Sequence, residues 1–316
     1  MESKRTNSDP RLKISIIHRY LENRFNENNY PSHHKWASDA VIKSSNWEAQ
    51  FLSTSSFQIP RQLEMLFNKT LFRGSPGSQV ELSSWRAAKK SDLIYSINGP
   101  LALAHLYPKK LLPWVFTTPP NLGRRFKLAH RAYQPYNLRA NAGFLCLTPK
   151  AEEYYSKFAP SKFIPWCVDV GLFDGKPPKI IPNKPFFLAT GKTYRDYKTL
   201  VKAAKEVIAE VRIIGPNIQK PKDLPPNVNW IDTSSDPPDQ AIDYLTLREW
   251  YAQCIAVCIP LSGDADDTCG YTNMLEAMAM CKPVMMTQSG CLHINPVTDG
   301  FGIPLVTLVK FICSSV

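Results

Sequence analysis

The sequence has no apolar run near the roughly 18 residues that a membrane-spanning helix needs; its longest, residues 254–261, has the length of a buried strand. Glycine is scarce: 14 residues against 27 prolines in a chain of 316. That balance excludes a glycine-rich flexible chain and implies many short elements joined by stiff turns, as at Pro177-Pro178 and Pro237-Pro238. Paired zinc spacing is missing from the eight cysteines (146, 167, 254, 258, 269, 281, 291 and 313). Cys254 and Cys258 stand four apart without a second pair, so the cysteines read as buried thiols in a reducing compartment. The opening residues, MESKRTNSDPRLK, hold no apolar stretch of the kind that directs secretion. Internal repeats and low-complexity tracts are also lacking. A cytoplasmic protein is expected.

Acidic residues are short only in the first half. Residues 1–180 hold 26 Lys and Arg against 13 Asp and Glu, whereas residues 181–316 hold 12 against 14. The whole net charge of +11 therefore belongs to the first half. Such a field attracts anionic surfaces, whether phospholipid head groups, nucleic acid or acidic glycans, or else serves solubility alone. The cation-rich stretch around Arg124, Arg125, Lys127, Arg131 and Arg139 is the candidate contact. No nucleic-acid-binding motif accompanies the charge, so nucleic acid is not the expected partner; a basic nucleic-acid- or membrane-surface-binding protein stays as an alternative that the charge alone suggests.

What is present alternates. Short β-branched or aromatic runs at residues 12–17, 47–52, 93–97, 114–117 and 144–148 are separated by helix-like stretches at 35–44, 61–68, 99–107 and 149–158. A second series of strand candidates follows at 186–190, 211–214, 228–231, 255–259, 284–287 and 303–306. Strands separated by helices imply parallel sheets covered on both faces. Two such series imply an α/β protein of two Rossmann-like domains. The expected boundaries are 1–170, a linker at 171–184, and 185–316. In the second domain Tyr197, Leu200, Val201, Ala204, Val207, Ile208 and Val211 fall at helical spacing and predict one amphipathic helix. After Val306 ten residues remain, too few for the helices that should cover the last strand, so the C-terminal domain is expected to be incomplete.

Two segments carry chemistry. In Gly270-Tyr271-Thr272-Asn273-Met274-Leu275-Glu276-Ala277-Met278-Ala279 a glycine-led turn opens a helix. The first amides of a helix have no intrahelical acceptor and lie at the positive end of the dipole, which suits a diphosphate. Glu276 shares a face with Thr272 one turn on, where a carboxylate can accept from ribose hydroxyls. The second segment runs from Phe187 through Thr190-Gly191-Lys192-Thr193-Tyr194-Arg195. Lys192 and Arg195 follow a strand that ends in glycine, which is where ligands sit in doubly wound sheets. Fixed cations there neutralise a leaving diphosphate.

Together these segments resemble the retaining GT-B glycosyltransferases of family 4. Leu275–Val284, LEAMAMCKPV, is similar to that family's donor-binding "LEAMA.GKPV" block, and Gly191, Lys192 and Arg195 stand where its "G-R-x-x-x-x-K" loop stands. The stretch 164–173, IPWCVDVGLF, is similar to the family's "ipwGVDxxxF" domain crossing, and 142–153, AGFLCLTPKAEE, to the strand and helix before it. The resemblance covers about residues 90–305. It implies two Rossmann-like domains facing a cleft and the transfer, with retention, of a sugar from a nucleoside-diphosphate sugar to a hydroxyl on a glycan, lipid or small molecule. No cofactor and no metal are implied. Donor-binding residues would be Gly191, Gly270, Tyr271, Thr272, Asn273 and Glu276, with Lys192 and Arg195 catalytic and the loops at 215–217 and 230–231 flanking the base.

The chain departs from the pattern at Thr268, where family members carry the first Glu of a Glu-x7-Glu pair; Asp266 and Asp267 are the nearest carboxylates. Thr118 stands where some members have a histidine. His33 and His34, after the first strand, are further candidates. Adjacent side chains are expected to point to opposite sides, which argues against a shared metal. Thr268 keeps open a catalytically inactive relative that only binds a nucleotide sugar. A GT-B epimerase is less well matched, because the acidic and histidine residues expected of one are not evident.

Overall fold

A computed structural model describes residues 11–18, 27, 29–52, 59–69, 72, 77–116, 135–233, 242–262, 268–287, 294 and 298–304. The chain divides into two compact units, one of residues 1–26 and Lys35–Pro165, the other of Glu27–His34 and Trp166–Val316.

The first unit is built on a six-stranded sheet of β1 (Leu12–Ile17), β2 (Trp47–Phe51), β3 (Leu93–Ser96), β4 (Leu111–Val115), β5 (Phe144–Cys146) and β6 (Ser161–Phe163), in the order β2-β1-β3-β4-β5-β6. All pairs are parallel. Its helices are α1 (Ser38–Lys43), α2 (Arg61–Lys69), α3 (Ser78–Ala87) and α4 (Pro149–Tyr155). One core cluster joins Ile17, Ile94, Leu101 and Leu111; another joins Val115, Phe144, Cys146 and Tyr155. α4 starts where the sequence dictates. Thr148 Oγ1 accepts from the Ala151 amide at 3.1 Å, and Pro149, which has no amide to satisfy, opens the helix.

The second unit carries β7 (Phe186–Thr190), β8 (Glu210–Gly215), β9 (Val228–Asp232), β10 (Val257–Ile259), β11 (Val284–Met286) and β12 (Gly302–Pro304), ordered β12-β11-β10-β7-β8-β9 and again all parallel. This is the Rossmann order read from its far edge, and the order reverses between β7 and β10. α5 (Tyr197–Ala204), α6 (Tyr244–Gln253) and α7 (Tyr271–Ala279) accompany the sheet. Every residue of β10 is buried, as a central parallel strand requires. The core joins Ala189, Tyr197, Leu200, Val201, Val211, Ile213 and Cys258.

Several sequence expectations change. The helical face assigned to residues 197–211 is cut short: α5 ends at Ala204, Ile208 is fully exposed, and Val211 lies in β8. The stretch 99–107 yields only a single 3-10 turn, Ala104–Leu106. Cys146, Cys254 and Cys258 are buried thiols, but Cys167 and Cys281 are exposed. Among the described residues no helix is long and apolar enough to cross a membrane.

Candidate functional site

In an open parallel sheet, the loops leaving the carboxyl ends of two strands at the order reversal diverge and leave room for a ligand. In the second unit those loops follow β7 and β10, and they are tied together. The Asp196 amide donates to Pro260 O (2.9 Å), the Ser262 amide to Tyr194 O (2.8 Å), and Arg195 forms an isolated β-bridge with Leu261. Arg195 is buried at this junction, 8% exposed. Of the guanidinium's five N–H donors, Nε gives one to Thr190 O (3.2 Å), Nη1 one to Thr193 O (2.9 Å) and Nη2 one to Asn273 Oδ1 (2.7 Å). The last bond links positions 78 residues apart and brings the two sequence motifs into contact.

Both glycines are required, for steric reasons. Gly191 has φ of +129°, and an added Cβ would overlap the Arg195 guanidinium, which passes directly over the backbone. Gly270, the N-cap of α7, has φ of +85°, and a Cβ would lie 2.6 Å from Ile259 Cγ2. Among the described residues no side chain caps the start of α7. The Tyr271 amide donates to Thr268 O (3.1 Å), and its ring is buried in the core. Thr272 and Asn273 supply the next two amides of the helix start. Lys192 is half-buried, and its carbonyl accepts from Gln219 Nε2 at 2.6 Å. On the same side of the sheet Tyr197 OH donates to Gly191 O (2.7 Å), and the Asn217 amide and side chain donate to Asp232 at 2.9 and 2.6 Å.

Glu276 lies further along α7 and is 2% exposed. Tyr251 OH donates to its Oε2 at 2.7 Å, and Asn273 Nδ2 lies 3.4 Å from the same oxygen. Burial, reinforced by the Glu276 carboxylate, pushes the Tyr251 phenol well above its usual pKa, so it remains a donor. The other carboxylate oxygen, Oε1, lies 3.5 Å from His33 Nε2. His33 belongs to the segment Glu27–His34 that packs within this unit. Ser32–Lys35 form a 3-10 turn that Asp169 holds in place. The Ser32 amide donates to Asp169 Oδ2 (2.7 Å), and the Asp169 amide donates to His33 Nδ1 (3.0 Å). Burial alone would raise the Asp169 carboxyl; the hydrogen bonds from Ser32, Leu172 and Gly171 outweigh it and hold the pKa below the ordinary value. Trp166 and Phe173 flank the His33 ring at 6.2 and 6.0 Å.

The expectation that His33 and His34 diverge is not met. The 3-10 turn brings their rings to 4.4 Å, and the ligand atoms of His33, His34 and Glu276 lie within 4.8 Å of one another. Strand-like alternation would have separated them; a tight turn of about three residues does not. Thr118, Asp266 and Asp267 lie outside the described residues. Two residues without a sequence signal belong with the site or near a second reversal point. Tyr251 sits on a helix whose pattern is weak. His18 follows β1 in the first unit, and burial lowers its pKa to about 4.

No protein-family model and no curated protein matches this sequence. Among solved structures, the chain is similar to the N-terminal domain of Candida albicans trehalose-6-phosphate phosphatase, with a TM-score of 0.62 and 9% identity over 99% of this chain and 90% of that one. It is similar also to apo OtsA, with a TM-score of 0.53 and 9% identity over 97% and 90%. TarM aligns over 73% of this chain with a TM-score of 0.47 and 13% identity, and the chain spans only 50% of TarM. At such identities the first two likenesses show the fold alone, which is GT-B: two α/β units, each on a parallel six-stranded sheet.

Proposed function

We propose that the second unit binds a nucleoside-diphosphate sugar and that the protein transfers the sugar to a hydroxyl acceptor, with retention as the family resemblance implies. The observation that carries this reading is the bond from Arg195 to Asn273, which fixes a cation against the start of α7 at the reversal point of the sheet. A diphosphate seated there would meet the amides of Thr272 and Asn273, the helix dipole, and the charges of Arg195 and Lys192. Breaking the anomeric C–O bond leaves its electron pair on the diphosphate. Preorganised donors and cations stabilise that charge as it grows, commonly the largest single contribution to catalysis. Arg195, already spanning Thr190, Thr193 and Asn273, would act mainly by shaping the cradle, and half-buried Lys192 would supply the second charge. Glu276 would hold the ribose.

A second reading, binding without turnover, is favoured by Thr268, which offers no carboxylate where the family's first Glu stands. Thermal-shift titration with UDP, GDP, ADP and their glucose or mannose conjugates tests the shared part: one member should raise Tm, since a ligand that binds only the folded state stabilises it by mass action. Release of free sugar from that conjugate then separates enzyme from binding protein. A panel in which no nucleotide shifts Tm at millimolar concentration rejects both readings.

A further inference from the structure

We propose that His33 is a ribose-recognition residue, which together with Glu276 clasps a single hydroxyl of the bound nucleotide. The inference rests on the proposed function and extends it to a residue outside both sequence motifs. His33 Nδ1 accepts a hydrogen bond from the Asp169 amide at 3.0 Å. A ring nitrogen that accepts cannot also carry the proton, so the neutral imidazole holds it on Nε2. His33 is 2% exposed, and among the described residues Nε2 has no hydrogen-bond partner. It is aimed at Glu276 Oε1 but stops at 3.5 Å. Oε2 is already engaged by Tyr251 at 2.7 Å. The gap thus presents one fixed donor and one fixed acceptor.

That pair selects the chemistry of its occupant. A phosphate oxygen would accept from Nε2–H but be repelled by Glu276. An ammonium group would satisfy Glu276 and leave Nε2–H facing a donor. A metal ion on Nε2 requires the proton on Nδ1, where it would collide with the Asp169 amide hydrogen, so the cluster of His33, His34 and Glu276 is built in the wrong tautomer for a cation. A hydroxyl accepts from one side and donates to the other. Two hydrogen bonds of about 2.8 Å meeting at a tetrahedral oxygen span about 4.6 Å, so His33 withdraws by about 1 Å as the hydroxyl enters. Glu276 lies four residues beyond Thr272, about 6 Å along the helix axis, where the ribose of a nucleotide whose diphosphate sits at the helix start would fall.

Isothermal titration of the full chain with UDP, GDP and ADP, followed by the 2′-deoxy and 3′-deoxy forms of whichever binds, tests the inference. The parent protein should bind one deoxy form about tenfold more weakly, the loss expected when buried polar partners go unsatisfied. In His33→Ala the ribo and deoxy forms should bind within about twofold of each other, and His33→Gln, whose amide can donate, should restore part of the gap. His33→Phe keeps a ring against Trp166 and Phe173 without the donor, and it replaces the alanine variant if that fails to fold. Discrimination that is absent in the parent, or undiminished in His33→Phe or His33→Ala, overturns the role of His33 while leaving nucleotide binding intact. Failure of all three nucleotides to bind overturns the proposed function and this inference together. A Zn2+-induced rise in Tm that EDTA reverses and His33→Phe abolishes would assign the cluster to a metal and overturn it as well.

Discussion

Arg195 and Lys192 are three residues apart in sequence, yet the structure gives them different work, and substitutions should separate them. Arg195 is buried, with its guanidinium spread over two backbone carbonyls and Asn273. Arg195→Met leaves those acceptors without their donors and should cost about 2–4 kcal/mol, read as a lower urea midpoint. Lys192 is half-buried; Lys192→Ala should leave stability within about 0.5 kcal/mol and lower turnover more than tenfold through loss of a charge that acts on the leaving group. Similar midpoints for the two variants would refute this division. At this scale the candidate site was partly legible. The residue types were visible in the glycine-led turns and their cations, because those signals are local. The bond between Arg195 and Asn273, the Tyr251 hydroxyl on Glu276, and His33 facing the same carboxylate join distant positions, and no spacing encodes them. One clue was present: a carboxylate within the apolar run Met274–Ala279 had to find partners once buried.

At the scale of elements, burial decided what could be read. Strands β7, β10 and β11 are buried and appear as short, mostly apolar runs, so they were recognisable. β6, Ser161–Phe163, is a half-buried edge strand of three residues and offered no pattern. Helix α3 was missed for a different reason. Val80 is its one buried apolar position; Ser78, Glu81, Ser83 and Ser84 make the rest of the face that packs inward polar. Glu81 accepts from the Ala102 and Leu103 amides at 2.6 and 3.0 Å, holding a loop where an apolar residue would have packed against it. Helix α7, by contrast, depends on a single backbone position. Gly270→Ala would place a Cβ 2.6 Å from Ile259 Cγ2 at a φ of +85°. The strain and the clash together should cost about 2–4 kcal/mol, and nucleotide affinity should fall with it as the helix start shifts. Parent-like stability in denaturant would show that α7 can start without a left-handed residue.

Across the whole molecule, the two units have different acid limits, set by a buried imidazole in the first and by carboxylates, Asp169 among them, in the second. His18, in the first unit, is held neutral by burial, its pKa lowered from 6.5 to about 4. Between those values the unfolded chain binds the proton and the folded chain does not. Its contribution is therefore complete above pH 6.5 and is lost as pH falls toward 4. Asp169, in the second unit, has its pKa lowered from 3.8, chiefly by amide hydrogen bonds that overcome its burial. Its contribution is present above that pH and is lost only as pH falls further. Acid should therefore loosen the first unit before the second. Hydrogen exchange followed by peptide mapping at pH 7 and pH 5 is expected to show faster opening of β1 and β3 at the lower pH, after correction for intrinsic rates, with β7, β8 and the turn at Ser32–Lys35 little changed. His18→Asn, which cannot charge, should remove most of the difference in the first unit. Equal acid sensitivity in β1 and β8, or an unaltered profile in His18→Asn, would mean that another group sets the limit, and that the basic first half of the chain responds to its net charge and not to one buried imidazole.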